Sequence, residues 1–168
     1  MNHDKLKPGM KKPPIKLLLN PVHLCSLGFG TGYSPKAPGT MGTMVGVLIY
    51  LLIRDIELIY YLVLTMGFLV AGILMCRYTS DALKVEDHPA IVWDEIVGYL
   101  ITMCYAPVGW WWALVGFVLF RFFDILKPWP VNLADIRVKG GIGIMLDDVI
   151  AGIYSLAIMQ IIAYNLYR

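Results

Sequence analysis

The sequence has few charged residues and few cysteines for its length. Only 15% of its 168 residues are charged, whereas 58% are hydrophobic, and its mean hydropathy is +0.67. Soluble domains typically carry about 25% charged residues, so this shortage argues against an ordinary soluble fold and against a disordered chain. The net charge of +2 also lacks the strong basic field of a nucleic-acid-binding protein, so we expect no nucleic-acid partner.

The three cysteines, Cys25, Cys76 and Cys104, have no CxxC spacing, and two of them lie in strongly apolar stretches. Cysteine in such stretches usually serves as a small hydrophobic residue, so we expect neither a disulfide framework nor a zinc site. The lysine-rich N-terminus is not followed by the apolar core and cleavage site of a signal peptide. We therefore expect a basic cytoplasmic tail over residues 1–20 and a single domain over residues 21–168.

Long uncharged runs occupy most of the rest of the chain. A helix needs about 20 apolar residues to cross the hydrocarbon core of a bilayer. The run from Ile96 to Phe120 is interrupted by the turn sequence Ala106-Pro107-Val108-Gly109 and then three tryptophans, which are typical of a membrane surface. Dividing the run there predicts an all-α polytopic membrane bundle of about four to five transmembrane helices, with spans near 40–53, 58–76, 89–106, 109–127 and 145–165.

The distribution of Lys and Arg predicts which side of the membrane each loop occupies. With the N-terminus in the cytoplasm, 12 of the 14 Lys and Arg residues lie on the cytoplasmic side, and only Arg54 and Arg168 lie outside. Cytoplasmic loops of membrane proteins carry this excess of positive charge. An unbroken third span would move the segment from Arg121 to Lys139 to the outer face, so the charges favour five spans, with Lys84 inside and the Pro107 turn outside.

A glycine-rich segment, GFGTGYSPKAPGTMGT from Gly28 to Thr43, precedes the first predicted span. Such a segment can present backbone N–H groups and hydroxyls to a phosphate, with Thr40 as a candidate N-cap. It matches neither a Walker A motif nor a GxGxxG turn of a βαβ unit. Two interpretations stay open, a phosphate-binding loop and a tight loop whose glycines allow close helix packing.

Five carboxylates lie at three predicted helix ends on the cytoplasmic side, and these are Asp94, Glu95, Asp124, Asp147 and Asp148. Hard oxygen ligands without His or Cys partners favour Mg²⁺, Mn²⁺ or Ca²⁺. Asp147 and Asp148 immediately precede 19 uncharged residues. A carboxylate in a membrane helix costs about 2.5–3.5 kcal/mol, so this pair predicts a partner or a cation.

Asp94 and Glu95 begin an otherwise apolar predicted helix. Adjacent helical residues project about 100° apart, so we expect only one of them to face a given site. A carboxylate at a helix N-terminus is also favourable because of the helix dipole, so a purely structural role for the pair stays open. His88, in the preceding loop, is expected to have no catalytic part.

Cationic residues accompany the carboxylates. Arg121, Asp124 and Lys127 recur on neighbouring turns of one helix, either as a solvated ion ladder or as part of a phosphate site. Lys36 and Lys139 lie in flanking loops. Carboxylates, a divalent ion and cations at the depth of lipid headgroups together indicate phosphoryl chemistry on a lipid.

Four ordered motifs resemble the phosphatidylglycerophosphatase A family. They are GFGTGYSPKAPGTMGT from Gly28, IVWDEIVG from Ile91, FRFFDILKPWP from Phe120 and GGIGIMLDDVIAG from Gly140, and the similarity extends over about 21–163. The resemblance implies a Mg²⁺-dependent, multi-pass enzyme of the bacterial inner membrane. Such an enzyme is a phosphoric monoester hydrolase that removes the terminal phosphate of phosphatidylglycerophosphate, giving phosphatidylglycerol and inorganic phosphate.

The sequence has neither a Cys-x₅-Arg phosphatase loop nor an Asp-x-Asp pair for an aspartyl-phosphate. We therefore expect direct attack by a metal-activated water. The expected metal ligands and catalytic residues are Asp94, Glu95, Asp124, Asp147 and Asp148, with Glu95 either a ligand or the base. The expected substrate-binding residues are Thr40, Thr43, Arg121, Lys127, Lys36 and Lys139.

The alternative is a small membrane transporter or channel component in which the carboxylates bind a coupling ion. Such a protein is expected to carry polar residues through the middle of the bilayer. Residues 45–52 and 156–162 offer almost none. The sequence therefore favours the phosphatase.

Overall fold

A computed structural model describes residues 12–129, 131 and 138–168 of the protein. Within these ranges the chain is helical and contains no strand, in agreement with the predicted all-α fold. Two short 3-10 helices, Ile15–Leu19 and Gly28–Tyr33, flank the first α-helix. The α-helices are α1 (Pro21–Ser26), α2 (Pro38–Ile53), α3 (Leu58–Leu83), α4 (Trp93–Thr102), α5 (Trp110–Leu126) and α6 (Gly140–Leu166).

Helices α2 to α6 run up and down, so their termini gather at two ends of a bundle. At one end, the Gln160 side chain near the C-terminus of α6 donates to the Tyr105 carbonyl at 2.9 Å, and Trp112 of α5 contacts Tyr167. The other end brings together the N-termini of α2, α4 and α6 and the C-terminus of α5. We call it the site end, because the predicted acidic and cationic residues lie there.

Helix α4 lies in the centre of the bundle. Eight of its ten residues are buried, and it contacts α2, α3, α5 and α6. Its crossing with α6 is close, because a β-carbon on Gly152 would lie 2.5 Å from the Gly98 carbonyl oxygen. A β-carbon on Gly98 would similarly lie 2.8 Å from the Asp148 carbonyl oxygen. The two glycines thus bring the acidic residues of both helices together.

The predicted third span, 89–106, is corrected by the structure, because α4 covers only 93–102. The chain leaves the helix before Pro107, and Tyr105 adopts a positive φ of 56°. Ten helical residues measure about 15 Å, about half the thickness of the hydrocarbon core. Helix α4 is therefore a buried core helix and is too short to cross a bilayer alone.

The other predicted spans correspond to α2, α3, α5 and α6. Helix α6 begins at Gly140, five residues before the predicted span of 145–165. Among the described residues, two helices are long and apolar enough to cross a membrane, α3 with a mean hydropathy of 2.3 and α6 with 1.8. Only 17% of the apolar window of α3 is buried, against 50% for α6, so α3 leaves many large apolar side chains exposed.

A buried polar cluster attaches the N-terminal segment to α3. The His23 Nδ1 and the Thr79 hydroxyl lie 2.9 Å apart, and the Ser26 hydroxyl lies 2.5 Å from the same Thr79 oxygen. Burial lowers the pKa of His23 below its ordinary value, which favours the neutral ring. The backbone N–H of Val92 donates to the Ser26 carbonyl at 2.9 Å, so this cluster also supports the segment that leads into α4.

Candidate active site

Three carboxylates meet at the site end. Asp94 and Glu95 come from the first turn of α4, and Asp148 comes from the third turn of α6. Each offers an oxygen atom, and these oxygens lie within 4.8 Å of one another. Asp94 is 9% exposed and Asp148 is 3% exposed. We call this group the carboxylate triad; its charges repel one another in a poorly solvated place, so it favours a bound cation or proton.

The expectation that only one of Asp94 and Glu95 can face the site is wrong. Both carboxylates reach the same point with Asp148. The Cα–Cβ bonds of an α-helix tilt towards its N-terminus, so side chains in the first turn extend beyond the helix end. Because Glu95 also has one more methylene than Asp94, it can turn its carboxylate towards the same point.

Asp124 forms an ion pair with Arg121 one turn earlier on α5. The side chains are only 12% and 9% exposed, respectively, so this pair is not the solvated ladder that one interpretation of the sequence required. A β-carbon built on Gly39 would contact both Glu95 Oε1 and Arg121 Nη1, so the Arg121–Asp124 pair lies close to Glu95 of the triad. Arg121 therefore provides a buried positive charge next to three carboxylates.

Asp147 forms an ion pair with Lys127, and each side chain is 11% exposed. The neighbouring Asp148 instead joins the triad, so the two adjacent acids of α6 have different partners. Lys127 adopts a left-handed conformation with φ 43° at the C-terminus of α5, immediately before Pro128. Non-glycine residues rarely adopt this conformation, and they often do so at functional sites.

The glycine-rich segment supplies the N-terminus of α2, but Thr40 is not its N-cap as expected. The helix begins at Pro38, and the N-cap is Ala37, which has a φ of 49° and makes no side-chain capping bond. Proline is favoured at this first position because its fixed φ suits the helix. The Thr43 hydroxyl is buried and donates to the Gly39 carbonyl at 2.9 Å, so this donor is used within α2.

The two loop lysines are exposed to solvent, unlike Arg121 and Lys127. Lys36 is exposed, and Lys139 lies 3.6 Å from Glu86 in an exposed ion pair, which adds little stability. Glu86 and Lys139 also line an open cleft of about 430 Å³ that reaches Asp147. The sequence analysis did not predict that Glu86 and Asp87 line this cleft. Two consecutive acidic residues after a predicted helix could have indicated it.

His88 lies in the loop before α4, as expected, but it is only 1% exposed. Its Nδ1 accepts a hydrogen bond from the backbone N–H of Ala90 at 3.1 Å. This contact shapes the turn that leads to Asp94. His88 therefore stabilises the turn next to the site.

Comparison with known proteins gives a consistent match along most of the chain. The family model described as Phosphatidylglycerophosphatase A matches residues 24–163. The chain belongs to the phosphatidylglycerophosphatase A family. Membership in this family makes the chain an enzyme of the phosphoric monoester hydrolase class.

Individual members of the phosphatidylglycerophosphatase A family resemble the chain over most of their length. Phosphatidylglycerophosphatase A of Escherichia coli (strain K12) is 41% identical over 148 residues, which are 87% of this chain and 86% of the relative. The Haemophilus influenzae (strain ATCC 51907 / DSM 11121 / KW20 / Rd) protein of the same name is 42% identical over 149 residues, 88% of this chain and 91% of the relative.

A Bacteroides thetaiotaomicron protein, provisionally named a phosphatidylinositol-3-phosphatase, is 36% identical over 146 residues, 82% of this chain and 91% of the relative. No solved structure matches the chain.

The four motifs that resemble the phosphatidylglycerophosphatase A family contribute to one place in the structure. The glycine-rich segment begins α2, and the motif from Ile91 supplies two members of the triad. The motif from Phe120 supplies the Arg121–Asp124 pair and Lys127, and the motif from Gly140 supplies Asp147 and Asp148. The site end is therefore built from the segments that carry the family resemblance.

Proposed function

We propose that the chain is a Mg²⁺-dependent phosphatase that hydrolyses the terminal phosphate of phosphatidylglycerophosphate, giving phosphatidylglycerol and inorganic phosphate. The names of two relatives support this substrate. The observation that carries the proposal is the buried carboxylate triad of Asp94, Glu95 and Asp148. The names of the three relatives give no support to the transporter alternative.

The triad fits a hard divalent cation. Mg²⁺ binds oxygen ligands at about 2.1 Å, so two ligands on opposite sides of the ion are about 4.2 Å apart. The triad oxygens, within 4.8 Å of one another, suit this spacing. Within the described part of the chain, Asp94 Oδ1 and Glu95 Oε2 are buried without a hydrogen-bond partner, so their lone pairs are available to a cation. When bound, Mg²⁺ would offset the negative charge on the phosphate and polarise its oxygens.

Side chains of the protein would bind the cation, accept a proton and bind the phosphate. Asp94, Asp148 and Glu95 would hold the cation, and the Oε2 atom of Glu95 would also accept a proton from the attacking water. Arg121, held by Asp124, would bind the phosphate that is transferred. As the water oxygen bonds to phosphorus, one water proton would pass to Glu95 and the bond from phosphorus to the glycerol oxygen would break. The glycerol oxygen would then take up that proton, which returns Glu95 to its carboxylate form.

A phosphate-release assay tests the activity and its metal requirement together. With detergent-solubilised protein and short-chain phosphatidylglycerophosphate, EDTA is expected to lower the rate by at least about 100-fold, because the carboxylates then repel the dianionic substrate. Added Mg²⁺ should restore the rate, and the Asp148→Asn variant measures contaminating phosphatase. Full activity in EDTA would refute the metal requirement.

Phosphatidylinositol 3-phosphate is the second candidate substrate, because a relative at 36% identity is provisionally named a phosphatidylinositol-3-phosphatase. It is tested in the same assay at matched acyl-chain length. Phosphatidylglycerophosphate is expected to give the higher kcat/KM. The reverse order would reassign the substrate while leaving the phosphatase chemistry in place.

We also propose that the enzyme lies in the bacterial inner membrane with the site end in the cytoplasm. The positive charges of the sequence support this orientation. Lys84 follows α3 at the site end, and Val108, 97% exposed, lies in the turn at the opposite end. Single cysteines at Lys84 and Val108, in a variant lacking the native cysteines, should therefore be labelled from opposite faces of sealed vesicles. Labelling of both from one face would contradict the proposed orientation.

A further inference from the structure

Gly39, in the first turn of α2, lies against two charged groups of the site. A β-carbon built on Gly39 would overlap the Oε1 atom of Glu95 and would lie 3.1 Å from Arg121 Nη1. Gly39 is itself buried. The backbone of α2 thus approaches the Glu95 carboxylate and the Arg121 guanidinium as closely as a residue without a side chain allows.

Backbone conformation does not explain this glycine. Its φ lies outside the left-handed region, so an alanine could adopt the same backbone. Glycine within a helix costs about 1 kcal/mol relative to alanine, so helix stability alone would favour alanine here. What glycine provides at this position is space for the neighbouring carboxylate.

The location of Glu95 also has an electrostatic reason. Its Oε1 lies at the first turn of α2, where the backbone N–H groups carry partial positive charge. Its Oε2 is buried and has no hydrogen-bond partner in the part of the chain that the structure describes. One oxygen therefore lies against α2, and the other remains available within the triad.

We propose that Gly39 is a positioning residue, which holds the Glu95 carboxylate against the N-terminus of α2 and beside Asp94 and Asp148. This inference rests on the proposed function, because it assigns to Gly39 the placement of a cation ligand. An added methyl group would push the carboxylate away from α2 and out of its place beside Asp94 and Asp148. Gly39 acts through Glu95 and does not touch the reacting atoms.

Metal binding by the full-length protein in detergent tests this role directly, with Mn²⁺ as a paramagnetic probe. Gly39→Ala is expected to weaken Mn²⁺ binding about tenfold or more, the usual effect of disturbing a residue that orients a metal ligand. The matched control is Gly67→Ala in α3, where a β-carbon would meet nothing within 4 Å. This control should bind Mn²⁺ and hydrolyse substrate like the wild type.

A double-mutant cycle shows whether Gly39 acts through Glu95. Glu95→Asp shortens the side chain and withdraws the carboxylate from the added methyl group. Glu95→Asp should therefore weaken Mn²⁺ binding by a factor that is at least about threefold smaller in the Gly39→Ala background than in the wild type. The thermal unfolding of all four proteins without metal provides the measure of folding.

The outcomes separate this inference from the proposed function. Wild-type Mn²⁺ affinity in Gly39→Ala, or fully additive losses in the double variant, would overturn the role of Gly39 while leaving the phosphatase in place. If the Gly39→Ala chain unfolds and Glu95→Asp does not restore its folding, the glycine is structural and the inference is likewise overturned. A wild-type protein that binds no Mn²⁺ would instead refute the metal site, and this inference with it.

Discussion

Replacing Asp148 by asparagine is expected to lower kcat/KM for phosphatidylglycerophosphate by about 10³-fold, which corresponds to about 4 kcal/mol. Asp148 is the α6 member of the carboxylate triad and is 3% exposed. Asparagine keeps the shape of the side chain but removes the negative charge that a hard cation requires. Phosphate release at saturating and limiting Mg²⁺ would measure the loss.

The same substitution should stabilise the protein when no metal is present. Three carboxylates within 4.8 Å repel one another, and neutralising Asp148 relieves part of that repulsion. A gain of about 1 kcal/mol would raise Tm by about 2–4 °C for a chain of this size. Addition of Mg²⁺ should raise the Tm of the wild type but not that of the variant, because binding to the native state stabilises it.

Asp55→Asn is the matched control, because Asp55 is 88% exposed and pairs only with Arg54 among the contacts that the structure records for it. It should leave both activity and the effect of Mg²⁺ on Tm unchanged. An Asp148→Asn variant that keeps its response to Mg²⁺ would remove Asp148 from the metal site. A fall in Tm without metal would instead assign it a stabilising structural role.

The sequence predicted the helices that are defined by their own composition. Long apolar runs located α2, α3, α5 and α6 because each keeps its character over 16 residues or more. Helix α4 was overestimated because its length is set by packing, since it fills the bundle centre through Gly98 and is covered by its neighbours. Hydropathy alone does not show whether an apolar helix is surrounded by lipid or by the rest of the protein.

The five predicted carboxylates, with Arg121 and Lys127, lie at the site end, but their partners could not be predicted from the sequence. Nothing in the motif LDDV separates Asp147, which pairs with Lys127, from Asp148, which joins the triad. That difference depends on how α6 is rotated against α4 and α5. The role inferred for Gly39 depends likewise on the approach of α2 to Glu95, which is a tertiary contact and leaves no local pattern.

Replacing Lys127 by methionine is expected to lower kcat/KM by about 10²-fold, the effect of losing one donor to the transition state. Lys127 lies at the end of the helix that carries Arg121 and Asp124, and its ammonium group is held by Asp147. We expect it to bind the transferred phosphate from this position. Methionine keeps the apolar stem and removes the charge, while Mn²⁺ affinity should change little because Lys127 is not a ligand.

The backbone of Lys127 allows its structural and functional roles to be separated. Its φ of 43° lies in the region that glycine adopts without strain, so Lys127→Gly should end α5 at least as well as lysine does. Leaving the buried Asp147 carboxylate without its cation opposes that gain. The double variant that also carries Asp147→Asn removes this cost and isolates the effect on the backbone.

If Lys127 binds phosphate, Lys127→Gly should fold with nearly the stability of the wild type and still lose about 10²-fold in kcat/KM. Wild-type kinetics in Lys127→Met would limit this lysine to its ion pair, since a group that binds phosphate in the transition state cannot lose its charge without slowing the reaction.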